Sequence, residues 1–412
     1  MGTYLDLDRT LSPEQATLRR EVHRFSEEVL RPASLELDRL ADPEDVIKSG
    51  SIFWDVLRQY YEHGYHRRGL PEALGGVSLS AEEQFLVAEE FGWGSADFAI
   101  AFGVTSFPFS FAAGSGNQKL IDEVVRPYAE DKEARYVGCW AITEPQHGSD
   151  TLVVGTKYFR DPNVAFGVRA RADGDEWVIT GQKSAWVSNG TIATHALLFL
   201  GIDGAQGMAG GGVALVPLDR PGVSKGKALD KLGQRALNQG EIFFDDVRIP
   251  RDYLLVGPDG YEFLVDAVLA GANAFMGVTF ACLARAAFEE ALAYTKQRVQ
   301  GGQPICEHQL VQKKLFDMFA KVQAAHSLSR SALLYNSQTR PPAVQYSIAS
   351  KVFCTTAAFE VASDAVQLFG GYGLCKGMLV EKLLRDARAS MIEDGSNDVL
   401  GLVAARKLID AL

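Results

Sequence analysis

Apolar positions along the chain change period twice. From residue 12 to about 130 they recur at helical spacing, first at Leu18, Val22, Phe25 and Val29 behind a start signal of Ser12, Pro13 and Gln15. Further helical patterns cover residues 51–64 and 80–91, with a turn-rich connector at 67–76 between them. Residues 98–113 are almost wholly apolar and predict a buried helix, and 117–130 a more amphipathic one. Near Tyr136 the period shortens to two. Strands are expected at 164–172 and 177–180 around an Asp173-Gly174-Asp175 hairpin, and again at 196–202, 213–218 and 241–249. The glycine-rich stretch 203–212 predicts a flexible loop without a phosphate-loop pattern. Helical spacing returns at Tyr261 and holds through 263–299, 307–337, 344–369, 378–390 and 398–412, lengths that suit an antiparallel bundle. The expected fold is α+β: an N-terminal helical domain (1–138), a middle antiparallel β-barrel or sandwich domain (139–253) and a C-terminal four-helix bundle (254–412).

A chain of 412 residues exceeds one compact core, which agrees with that division. The formal net charge of -11 argues against nucleic acid or an anionic membrane surface as the main partner. Five scattered cysteines without a CxxC pair point to reduced thiols rather than a disulfide framework. Residues 1–9 hold no basic segment followed by an apolar run, and no uncharged apolar stretch approaches the ~20 residues of a membrane span. A cytoplasmic protein is expected.

Glu393 and Asp394 stand side by side between two helical patterns. Adjacent carboxylates repel, so in a partly dry site one is expected to hold its proton above the usual range, as a base for carbon acids requires; a solvated, capping acidic turn is the alternative. There is no HExxH, GxSxG, GxGxxG after a strand or GxxxxGK[ST], and the seven histidines show no metal-ligand spacing, so no metal is expected.

Four other stretches carry polar or aromatic residues that a core would not need. They are Cys139-Trp140-Ala141-Ile142-Thr143-Glu144-Pro145-Gln146-His147-Gly148-Ser149-Asp150; Gly181-Gln182-Lys183-Ser184-Ala185-Trp186-Val187-Ser188-Asn189-Gly190; Gln297-Arg298 through Glu307-His308-Gln309; and Gln367-Leu368-Phe369-Gly370-Gly371-Tyr372-Gly373. In this order on an α-β-α chain they resemble the acyl-CoA dehydrogenase superfamily of flavoproteins over essentially the full length. One extra residue, in the Ser184-Ala185 pair, precedes Trp186.

The resemblance implies FAD and gives the motifs roles. Trp186 would stack on the isoalloxazine, Ser188 would donate to the hydride-accepting N5, and Thr143 would bond the pyrimidine edge. Gly148 and Ser149 would approach phosphates, with Trp140, Ile142 and Ser396 completing the near set. Arg298, Gln309, Gln367, Gly370 and Gly371 would reach the FAD of a neighbouring subunit, which implies a homodimer or homotetramer. His147 stands where the family usually has a small residue and is read as a substrate contact or a hydrogen-bonded structural histidine.

Members of the family remove an acyl α-proton with a carboxylate while the β-hydride goes to N5. Counted from both ends without a gap, the usual base, a Glu, falls on Asp394 and its preceding Tyr on Glu393. A carboxylate is kept but shortened by one methylene, about 1.5 Å. The arginine common on the first long C-terminal helix falls on Asn273, and an alternative base position falls on Ala272, which excludes it. Asp97 is expected as a second carboxylate in the acyl pocket or as a helix N-cap. Arg406 falls where the family contacts the CoA nucleotide. Ser149, Asp97, Asn273 and Arg406 form the expected substrate set. The resemblance thus implies an acyl-CoA dehydrogenase, for cyclic or branched acyl groups on CoA or an acyl carrier protein, passing electrons to an electron-transfer flavoprotein. A nitroalkane- or aromatic-oxidising flavin oxidase or monooxygenase, and a non-catalytic flavin-binding protein, stay as alternatives.

Overall fold

A computed structural model describes residues 10–411, so the N-terminal reading on residues 1–9 lies outside the described residues. The first helix, Pro13–Phe25, opens with the expected capping box: Ser12 Oγ accepts the Gln15 N–H while the Gln15 side chain accepts the Ser12 N–H. A second capping box, Ser80 with Glu83, starts helix Ala81–Gly94. The apolar run becomes helix Ala96–Gly114, buried on nearly every side.

The middle sheet has eight strands. In chain order they are β1 (Gly138–Ala141), β2 (Arg169–Asp173), β3 (Glu176–Ser188), β4 (His195–Gly201), β5 (Gly211–Pro217), β6 (Val223–Lys225), β7 (Gln239–Pro250) and β8 (Leu254–Val256). Most pairs are antiparallel, including the β2–β3 hairpin, but β1 runs parallel to β4 over Gly138–His195 to Ala141–Leu198. β1 reaches the sheet from a helix rather than a hairpin, so its direction is not tied to that of its neighbour. Both β1 and β2 sit between β3 and β4, at opposite ends.

The glycine-rich stretch is not a flexible loop. It forms tight turns over Gly204–Gly210 with Met208 fully buried. Gly207, at φ 63°, passes so near Asp161 that a Cβ would lie 2.5 Å from its carbonyl oxygen. Close packing, rather than mobility, accounts for the glycines there.

Helices Pro258–Gln297, Gln309–Gln338, Val344–Phe369 and Leu379–Ser390 form the C-terminal bundle, and helix Asn397–Ala411 packs beside Val344–Phe369. By length and composition three helical stretches, Ala96–Gly114, Pro258–Gln297 and Val344–Leu374, suffice to cross a membrane, contrary to the expectation that none would. The first two are largely buried inside the fold, where neighbouring helices and strands make an all-round apolar surface necessary.

Candidate active site

The turn between helices Leu379–Ser390 and Asn397–Ala411 carries the acidic pair. The amides of Ile392 and Glu393 both donate to the Ala389 carbonyl, and the chain reverses through Asp394 (φ 53°) and Gly395 (φ 97°). A Cβ on Gly395 would meet Leu400 and Leu152 within 3 Å, so this position needs glycine for space as well as for conformation. Ser396 N–H donates to Ser149 Oγ at 2.9 Å, joining the acidic turn to the Gly148-Ser149 stretch. From below, the wholly buried Lys351 donates to the Gly395 carbonyl at 2.7 Å and to Asn397 Oδ1 at 2.8 Å.

Both carboxyls are enclosed by protein yet keep part of their surface open to solvent. Glu393 accepts a hydrogen bond from Gln234 Nε2 at 2.5 Å. Asp394 accepts none among the described residues. Burial pushes Glu393 up to about 7, with the charge of Asp394 adding to it and Gln234, Lys231 and Lys351 opposing. Burial also pushes Asp394 up to about 6 against the attraction of Lys351. Burial also pushes Lys351 and Lys231 down to about 8, opposed by Asp394 and Glu393 at Lys351 and by Glu393, Asp97 and Asp386 at Lys231.

A second group assembles at the end of β1 and β3. Trp140 is paired with Ser188 across the two strands. The Ile142 carbonyl accepts from Lys183 Nζ at 2.9 Å, and the Thr143 carbonyl accepts the Ser184 N–H at 3.0 Å. Lys183 also pairs at 2.7 Å with Glu144, whose carboxylate takes the amides of Gly167 and Val168. This fully buried ion pair clamps the strap carrying Thr143 to β3. β3 is irregular around the extra residue before Trp186: the four steps from Lys183 to Val187 face only two on β7, from Ile242 to Gly240, with Ala185 at φ 37°. Within this irregular stretch Trp186 is 57% exposed.

Arg298, Gln367, Gly370 and Gly371 come together elsewhere, in a cleft of about 560 Å³ with Tyr294, Phe369 and Tyr372. Gln309, exposed at the start of its helix, does not line it. None of Thr143, Trp186, Ser188 or Asp394 lines this cleft, so a single chain divides the motif residues into two separate sets.

Of the expected substrate residues, Asp97 is corrected. It is wholly buried; Ser34, Ser95 and the Phe98 amide bond one oxygen, and the Ala236 amide and Lys382 the other. Ser95 is the N-cap of that helix. The burial of Asp97 leaves it no face toward a substrate; its work is to tie helix Ala96–Gly114 to helix Leu379–Ser390 through Lys382 and Asp386. Asn273 is also wholly buried, with neither side-chain atom bonded, and opens on no solvent-filled space. Arg406 is exposed beside Asp410 at 3.5 Å. His147 bonds Asp150 through Nδ1 at 2.7 Å. Among the described residues no His, Cys, Asp or Glu cluster is arranged for a metal.

Sequence reasoning missed Lys231, Gln234, Gln239 and Lys351. Only Lys183 and Glu144 had a signal, as charged residues inside motifs that alternate into the core.

Three family models cover the chain in the expected order. The N-terminal, middle and C-terminal domains of acyl-CoA dehydrogenase match residues 12–136, 139–247 and 259–409. The chain belongs to the acyl-CoA dehydrogenase superfamily. Members are FAD-dependent oxidoreductases. Among its relatives, the human mitochondrial short-chain specific acyl-CoA dehydrogenase is 30% identical over 396 residues, covering 93% of this chain and 87% of the relative. Cyclohexane-1-carbonyl-CoA dehydrogenase of Geobacter metallireducens is 29% identical over 404 residues, covering 97% and 98%. The structure of butyryl-CoA dehydrogenase from Megasphaera elsdenii superposes with a TM-score of 0.84 at 25% identity, covering 98% of this chain and all of that one. The acyl-CoA dehydrogenase fold is therefore shared from end to end.

Proposed function

We propose that this acyl-CoA dehydrogenase oxidises a cyclic or branched acyl-CoA, with Asp394 as the base that takes the α-proton. The carrying observation is the acidic turn: two enclosed carboxyls, of which Glu393 is held by Gln234 while Asp394 accepts no hydrogen bond among the described residues. A base at about 6 is ionised at neutral pH yet binds a proton more firmly than an ordinary aspartate. Glu393, higher at about 7, holds its proton first, which spares Asp394 a second adjacent charge.

The residues present fit FAD. Trp186 offers an exposed aromatic face, Trp140 Nε1 is buried without a partner, and a Cβ at Gly148, Gly370 or Gly371 would meet no atom within 4 Å. Arg298 forms no ion pair among the described residues, leaving its guanidinium for a phosphate. Bound there, FAD supplies the hydride acceptor. Thr143 and Ser188 would hold the flavin and Trp186 would cover it. The Arg298–Gly371 cleft, which those residues do not line, would serve the FAD of a second subunit, so the working enzyme is a homodimer or homotetramer. Exposed Arg406 favours CoA over a carrier protein, and an electron-transfer flavoprotein is the proposed acceptor. The likeness to a dehydrogenase named for cyclohexane-1-carbonyl-CoA supports a ring substrate, as does the shortened base.

Anaerobic titration with linear, branched, cyclic and aromatic acyl-CoAs tests this reading. Branched or cyclic esters should bleach the flavin fastest; bleaching by straight chains alone overturns the substrate class, and by none the activity. The rate of bleaching at saturating substrate should fall as pH drops through about 6, because the base works only when ionised. Stability should move the opposite way. The folded chain binds these two protons more tightly than an unfolded chain with ordinary values of 3.8 and 4.5, so folding becomes less favourable as pH rises from about 4 to about 7.

A further inference from the structure

The connection from Lys231 to Gln239 reaches both the acidic turn and Ser188. Gln234 on it bonds Glu393, and Gln239 at its end faces Ser188 across β3 and β7. We propose that Gln239, held by Lys231, is a positioning residue that aims the Ser188 hydroxyl proton outward, toward the flavin N5. This inference rests on the reading of Ser188 as the N5 donor.

Donor and acceptor chemistry carries it. Lys231 Nζ reaches the Leu237 carbonyl at 2.7 Å and Gln239 Oε1 at 2.9 Å. An ammonium only donates, so the amide end facing Lys231 must be the oxygen, and the NH₂ end must face Ser188. Gln239 Nε2 then donates to Ser188 Oγ at 3.1 Å, with the Trp186 carbonyl at 3.5 Å as a second acceptor. A serine hydroxyl that accepts this bond still owns one proton to give, and among the described residues no protein atom receives it. Gln239 is itself buried between β3 and the connection, so its amide cannot swing into solvent. Burial makes Lys231 easier to deprotonate while Glu393, Asp97 and Asp386 favour its charge and Arg235 opposes it, which places the anchor of this chain in the field of the acidic turn.

The test uses the flavin-loaded protein without substrate. The visible spectrum and the midpoint potential of the bound flavin are compared in the parent, Ser188→Ala, Gln239→Glu and the double variant. A carboxylate at 239 keeps the pair with Lys231 but can only accept, so Ser188 would turn its proton inward. Both single variants should shift the spectrum and potential in the same direction, and the double variant should match Ser188→Ala alone. Additive shifts, which a distant charge would give, or an unchanged Gln239→Glu spectrum, overturn the inference while leaving Ser188 at N5. No shift in Ser188→Ala overturns the N5 reading and the inference with it. If Gln239→Glu fails to hold flavin, neutral Gln239→Met should give a smaller shift of the same sign in the parent and none in the Ser188→Ala background; any other result overturns the inference.

Discussion

Asp394→Asn should slow flavin bleaching by substrate about 10²–10⁴-fold, the usual contribution of a positioned base. FAD should stay bound, because the Asp394 side chain makes no hydrogen bond, among the described residues, to those that fit the cofactor: Ser396 N–H bonds Ser149, and Lys351 holds the Gly395 carbonyl, without it. Glu393→Gln is the matched control. It keeps a partner for Gln234 after a simple amide flip and, because Glu393 already holds its proton where Asp394 titrates, should cost less than tenfold and leave the acid limb of the rate profile near 6. Stopped-flow reduction of the two variants decides the assignment. A larger loss in Glu393→Gln than in Asp394→Asn would exchange the two roles. Asn retains the size and left-handed tolerance of Asp at φ 53°, so the turn should survive the substitution.

Lys382→Met should destabilise the fold by about 3–5 kcal/mol, the range for removing one partner of a buried ionic cluster. Lys382 lies between Asp97 at 3.1 Å and Asp386, all three almost wholly buried. Its charge and those of the two carboxyls hold together helices Ala96–Gly114 and Leu379–Ser390 and, through the Ala236 and Gln234 amides, the connection to β7. Methionine fills the volume but leaves two carboxyls without a cation. Urea unfolding of Lys382→Met, Asp97→Asn and the double variant measures this, and the double variant should lose less than the sum because its two changes share one cluster. A Lys382→Met midpoint within experimental error of the parent would show that Asp97 and Asp386 can share a proton in its place; Asp386, pushed up to about 6 by burial, is the group that would take it.

The sequence was most legible where local rules act alone. Ser12 and Gln15 announced a helix start that the structure builds bond for bond, because a capping box needs only four consecutive residues. The change of apolar period from helix to strand and back marked the order of the elements. The strand expected at 177–180 runs on to Ser188, and the one extra residue in the Ser184-Ala185 pair lies in its irregular stretch beside the exposed Trp186. The glycine-rich stretch misled for the opposite reason: glycine signals both freedom and close approach, and only the nearness of Asp161 tells which applies to Gly207. Asp97 misled too. A lone acid in an apolar helix looks like chemistry until its partner, 285 residues away, is seen.

By itself, then, the sequence determined the α-β-α order, the family and the adjacency of Glu393 and Asp394, since periodicity, motif order and covalent neighbours are all properties of the chain. Only the tertiary structure decided which polar groups surround that pair. Gln234 binds Glu393 across 159 residues, Lys351 supports the turn across 44, and Gln239 faces Ser188 across 51. Proton affinity depends on burial and on charges a few ångströms away in space. Those distances are fixed when helices and sheet pack, and no local pattern in the chain records them.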